Sequence, residues 1–305
     1  MNCYDRNALR GAVVVPLATP FHEDGRPDED GLLRLLDFVT DGGCQGALVL
    51  GTSGETASIP PEDRLRITEI SCERLKGKGG AFIGIGDNCL STSIDYARHA
   101  LKAGADAVVA HCPSYFPIGP VELEAYYLKL ADSIDGPLFI YNIPPTTHHS
   151  IPLDTLEALS HHRNIVGVKD SEANLERLIA VSERFRDRDD FAVLCGAAGF
   201  SAPAMQAGAL GFVPSAGNIA PAICREISDR SLAGDFEGAK ESQRRMDTVN
   251  RIYAKGGTLA DTLPRLKVAM SMLGFGSGSV RPPLISMIEE LRGAVREEMA
   301  AQGLV

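Results

Sequence analysis

Short stretches of this sequence end in residues that could do chemistry. In Gly51-Thr52-Ser53-Gly54-Glu55, two hydroxyls sit between glycines, so backbone N–H groups and side-chain oxygens could cradle a carboxylate. An ordinary strand-to-helix turn is the other reading. Tyr141-Asn142-Ile143-Pro144 sets a phenol before a turn, either packed with its hydroxyl satisfied or placed to move protons. Ile165-Val166-Gly167-Val168-Lys169-Asp170 brings a lysine in behind apolar and small residues. Lysine is among the residues least often buried. On an interior strand, desolvation disfavours its ammonium form and lowers the pKa from about 10.4. A neutral amine attacks a ketone to give an imine, which is an electron sink. The alternative is a side chain that reaches back to solvent.

These groups matter only if one face gathers them. Eight apolar runs rich in Val, Ile, Leu and Phe begin at Ala12, Gly46, Ala81, Ala107, Pro137, Ile165, Phe191 and Gly211, 20 to 35 residues apart. Continuous apolar runs, rather than alternation, are what a parallel sheet covered on both faces requires. Helix-period segments lie between them. One runs from Asp28 to Val39 and stops at Gly42-Gly43, one opens at Pro60-Pro61-Glu62, one spans Ser91 to Gly104, and one carries Leu175, Leu178, Ile179 and Phe185. This alternation predicts an α/β fold, a (β/α)8 TIM barrel over residues 1–228. Strand number and spacing favour closure over an open sheet, and no G-x-G-x-x-G follows the first strand. Residues 229–305 turn helical throughout, with segments Asp235–Ala254, Leu259–Leu273 and Pro283–Gln302, which predicts a C-terminal helical extension. In a barrel of this kind functional groups stand where strands end. Thr52, Ser53, Tyr141 and Lys169 therefore converge on one rim, the last two from adjacent strands.

Composition narrows the partners. At 305 residues, 44% hydrophobic and 23% charged, the chain can bury a large core and has no tract biased towards disorder. A formal net charge of −10 disfavours a nucleic-acid partner, which calls for clustered Lys and Arg. The N-terminal MNCYDRNALR lacks an apolar signal core, and no run of about eighteen apolar residues suggests a membrane span. The chain reads as cytoplasmic. Its cysteines (Cys3, Cys44, Cys72, Cys89, Cys112, Cys195 and Cys224) are scattered without a C-x-x-C pair and read as reduced thiols.

On Thr19-Pro20-Phe21, Gly51-Thr52-Ser53-Gly54-Glu55, Pro113-Ser114-Tyr115, Tyr141-Asn142-Ile143-Pro144, Gly167-Val168-Lys169 and the stretch from Gly211 to Asn218, the sequence resembles the dihydrodipicolinate synthase / N-acetylneuraminate lyase family, essentially end to end. The resemblance implies a class I lyase in which Lys169 forms a Schiff base with pyruvate or another small 2-oxo acid. It implies that Tyr141 relays protons, that Thr52 and Ser53 hold the substrate carboxylate, and that Tyr115 is donated across a dimer interface. The Val213 backbone would line the pocket. A homotetramer, a dimer of dimers, is implied, with no metal and no organic cofactor.

Departures from the family pattern point to the substrate. Where the synthases place an arginine two residues after the Tyr-Asn-x-Pro proline, this chain has Thr146. Where an acidic residue follows the strand-seven glycine, it reads Gly196-Ala197-Ala198-Gly199-Phe200. Lys169-Asp170-Ser171 and Gly196-x-Ala-Gly-Phe instead resemble the 4-hydroxy-2-oxo acid and 2-keto-3-deoxy sugar acid aldolase branches, and the comparison implies that Thr146 and Gly196 belong to the substrate site. The synthase reaction, condensation of pyruvate with aspartate semialdehyde, is the alternative. A metal-dependent aldolase using His148-His149 or His161-His162 is a more distant rival, because adjacent histidines diverge and no H-x-x-x-H spacing is present. A non-catalytic sugar-acid binding protein is another.

Overall fold

The computed structural model of the chain describes residues 6–255 and 257–305; Cys3 and Gly256 lie outside them. Eight strands, β1 (Ala12–Pro16), β2 (Gly46–Val49), β3 (Gly80–Gly84), β4 (Ala107–His111), β5 (Leu138–Asn142), β6 (Ile165–Asp170), β7 (Ala192–Cys195) and β8 (Gly211–Phe212), pair in parallel in chain order. The pairing of β1 with β8 closes the barrel, so the expected fold class is what the structure has.

The apolar runs are continuous because both strand faces are covered. Val13, Val15, Val49, Ile83, Ala110, Ile140, Val168 and Val193 belong to the core under the helices. The residues between them, Val14, Leu48, Phe82, Val109, Phe139, Val166 and Leu194, form a second cluster that fills the barrel. Gly167 is needed here. A Cβ at that position would collide with the Phe139 ring and the Ala192 carbonyl, so the glycine before Val168-Lys169 lets the interior close beneath the lysine.

Helix ends follow their caps. Asp28 Oδ1 accepts from Gly31 N at 2.8 Å and starts the helix Glu29–Asp41. After β8 the helix Pro221–Leu232 runs straight through the boundary expected between residues 228 and 229 and completes the barrel's helical layer. Asp235 then caps Phe236–Tyr253, and Thr258 caps Leu259–Met272. The last helix is Glu289–Ala301 and does not begin at Pro283 as the sequence pattern suggested. The segment before it is spent on reaching back to the barrel. Arg281 N donates to Glu55 Oε2 at 2.8 Å, and the Arg281 guanidinium donates to Gly25 O at 2.9 Å. Among the described residues no helix is long and apolar enough to cross a membrane.

Candidate active site

Lys169 on β6 is the register partner of Tyr141 on β5, and Tyr141 is that of His111 on β4. Register partners in a parallel sheet point to the same face, so the three side chains stand abreast at the C-terminal rim. Lys169 is 4% exposed and Tyr141 5%. The Lys169 Nζ lies 3.8 Å from the centre of the Tyr141 ring. The next carboxylate along the chain does not serve it. Asp170 turns outward, accepting from Arg177 Nε at 3.0 Å and Asn142 Nδ2 at 3.1 Å. Burial raises the Asp170 pKa despite that guanidinium.

Burial alone would raise the Tyr141 phenol, but the Lys169 ammonium and hydrogen bonds from Lys169, Thr52 and Ser171 outweigh it and bring the phenol below its ordinary value. The Tyr141 hydroxyl lies 3.5 Å from Thr52 Oγ1. Thr52 and Ser53 occupy the turn after β2, closed by Gly54 N donating to Gly51 O and Glu55 N to Thr52 O, both at 3.1 Å. Gly196 follows β7 against the lysine: a Cβ there would collide with Ser171 Oγ and stand 3.1 Å from Lys169 Cε. Val213, just past β8, is buried in the same interior cluster as Tyr141.

Thr146 lies in the short helix Pro144–Thr147 and lines a cavity of about 280 Å³ at the mouth, together with Thr52, His111, Ser114, Leu259 and Leu263. Among the described residues its lining contains no lysine or arginine and one carboxylate, Glu55. Tyr115 stands apart. It is 79% exposed, stacked edge-on against Phe116, and its backbone N–H donates to Asn88 Oδ1 at 3.1 Å. Among the described residues no cluster of His, Cys, Asp and Glu is arranged to hold a metal ion, and His149 and His162 turn instead to Phe116 O and Asp132. The described cysteines are free thiols.

Two further groups reach the rim. The His111 ring packs flat on Gly86, its Nδ1–H donates to Cys112 O at 2.8 Å, and burial, reinforced by the nearby Arg64, lowers its pKa and keeps it neutral. Lys267 arrives from the C-terminal extension. Only contact with the rim identifies that lysine.

A closed (β/α)8 barrel with a buried strand-six lysine against a strand-five tyrosine defines the class I, Schiff-base-forming lyases. The match to a family model, Dihydrodipicolinate synthetase family, covers residues 9–302. The chain belongs to that family. It is 33% identical over 293 residues to a 4-hydroxy-tetrahydrodipicolinate synthase of Acidiphilium cryptum, covering 96% of this chain and 98% of that one. It is 30% identical over 290 residues to the protein of the same name from Methanosarcina barkeri, covering 95% and 97%. The crystal structure of dihydrodipicolinate synthase from Aquifex aeolicus superposes with a TM-score of 0.89 at 30% identity, covering 96% of this chain and 98% of that chain.

Proposed function

We propose that Lys169 attacks the keto carbon of pyruvate or a related 2-oxo acid and that the resulting imine drives reversible C–C bond cleavage. The observation that carries this reading is an amine 4% exposed, held against a phenol of lowered pKa and turned away from the neighbouring carboxylate. The amine adds to C2, the carbinolamine loses water, and the protonated imine accepts the electron pair of the C3–C4 bond as it breaks to an enamine and an aldehyde. The Tyr141 hydroxyl gives its proton to the departing water, and the phenolate left behind takes the proton from the C4 oxygen as the C3–C4 bond breaks, with Thr52 at 3.5 Å as the next group in the relay. Thr52 and Ser53 hold the substrate carboxylate. Gly196 and the Val213 backbone keep the space beside the imine open, and Tyr115 of a second copy completes the relay in a homotetramer.

For the aldehyde half, a mouth cavity without lysine or arginine and with Thr146 in its wall favours cleavage of an uncharged 4-hydroxy-2-oxo acid tail or 2-keto-3-deoxy sugar acid. The relatives, 4-hydroxy-tetrahydrodipicolinate synthases by name, support the other reading, condensation of pyruvate with aspartate semialdehyde, better than this one. Retro-aldol assays over a panel of 4-hydroxy-2-oxo acids, run beside the semialdehyde condensation, separate them. Faster condensation by the unmodified protein sinks the aldolase reading. On that reading Thr146→Arg supplies the missing cation and improves semialdehyde use by roughly tenfold, the value of one charge-assisted contact. For the shared chemistry, pyruvate and borohydride must label Lys169 and no other residue.

A further inference from the structure

Glu55 closes the Gly51-Thr52-Ser53-Gly54-Glu55 turn, and Lys267 lies in the helix Leu259–Met272, yet their side chains meet in the interior, each 1% exposed. Lys267 Nζ donates to Glu55 Oε1 at 2.7 Å and also to Thr19 O, and it sits 3.9 Å from the centre of the Phe21 ring. The second Glu55 oxygen accepts from Arg281 N at 2.8 Å. The Thr19 hydroxyl in turn donates to Gly54 O at 2.8 Å. Thus the loop after β1, the turn after β2 and two parts of the C-terminal extension are joined at one carboxylate.

That carboxylate belongs to a strained residue. Glu55 has φ 57, in the left-handed region that a non-glycine side chain adopts only when its surroundings impose it. Its N–H donates to Thr52 O, so the backbone of Glu55 and the backbone of Thr52 form a single turn. Holding Glu55 in place holds Thr52 and Ser53 in place.

Burying an ion pair is a poor way to gain stability, because desolvation of both charges offsets their attraction and an apolar pair would do as well. What the pair adds is a fixed position. We infer that the Lys267–Glu55 pair is a positioning device for the carboxylate-binding turn, by which the C-terminal extension sets the geometry of Thr52 and Ser53. This rests on the reading that Lys169 forms the Schiff base and that this turn holds the substrate carboxylate.

The test compares two ketones that differ in the carboxylate. Borohydride trapping at Lys169 is followed with pyruvate and with hydroxyacetone in the unmodified protein, in Lys267→Met, and in Lys267→Met combined with Glu55→Gln, which leaves no unpaired buried charge and keeps the experiment decisive if the single variant unfolds. In the folded variants the concentration for half-maximal trapping rises at least tenfold for pyruvate and stays within twofold for hydroxyacetone. If both ketones lose equally, or neither changes, the pair merely fastens the extension and the inference is overturned. If the unmodified protein labels at neither ketone, the Schiff-base reading itself has failed and takes the inference with it.

Discussion

Among the described residues two lysines are buried, one at the tip of β6 and one where the extension meets the barrel, and they differ in a single respect. Each ammonium position lies over an aromatic face, 3.8 Å from Tyr141 for Lys169 and 3.9 Å from Phe21 for Lys267. Burial and ring contact therefore do not distinguish them. Lys267 has a carboxylate at 2.7 Å; Lys169 has instead a phenol whose own pKa is drawn down. A fixed counter-charge holds a proton on an amine, whereas a phenol of lowered pKa offers the proton somewhere to go. On the proposed reading, the partner and not the burial decides which lysine serves as nucleophile and which as a structural cation.

Exchanging the roles is the severest test of this contrast. Lys169→Ala abolishes both pyruvate labelling and turnover while leaving the thermal transition nearly unmoved. Lys267→Met does the reverse to the fold, costing about 3–5 kcal/mol because the buried Glu55 loses its counter-charge and keeps only the Arg281 N–H. Urea titration read beside the labelling assay checks the pair, and a Lys169→Ala protein that retains turnover would break the comparison. Next in size is Tyr141→Phe. Removing the proton acceptor lowers kcat by roughly 10²–10⁴-fold, but the adduct with pyruvate still accumulates, so single-turnover trapping outlasts steady-state activity. Turnover undiminished by Tyr141→Phe would show that the phenol only shapes the pocket.

The first lysine was legible in the sequence and the second was not. Lys169 ends an apolar run whose neighbours must be interior, and strand order alone sets it beside Tyr141. The turn at Thr52 and Ser53 could be read for the same reason. His111 also ends a strand, but what seats its ring is Gly86 just past the end of β3, a contact between neighbouring strand ends that no local pattern carries. Lys267 sits in an amphipathic helix where a lysine reads as a solvated face, and its partner Glu55 lies 212 positions away in sequence. The start of the last helix differs from the sequence pattern for a related reason. Pro283 looks like a first-turn proline, yet Arg281 and Val280 are tied into the barrel and into a local turn before any helix can begin.

The smallest effect separates the two regions by pH. Burial pushes the Lys267 ammonium down to about 8, with Glu55 restoring part of the loss. In the unfolded chain a lysine titrates near 10.4. Between those values the unfolded state holds more protons than the native one, so stability rises with pH across this window, and below it the cost of the buried charge is fully present. The gain approaches about 1.4 kcal/mol per pH unit at most. Measured as the difference between the unmodified protein and Lys267→Met with Glu55→Gln, other titrating groups cancel. A slope that survives in the double variant would place the titration elsewhere and leave Lys267 an ordinary ion-paired lysine.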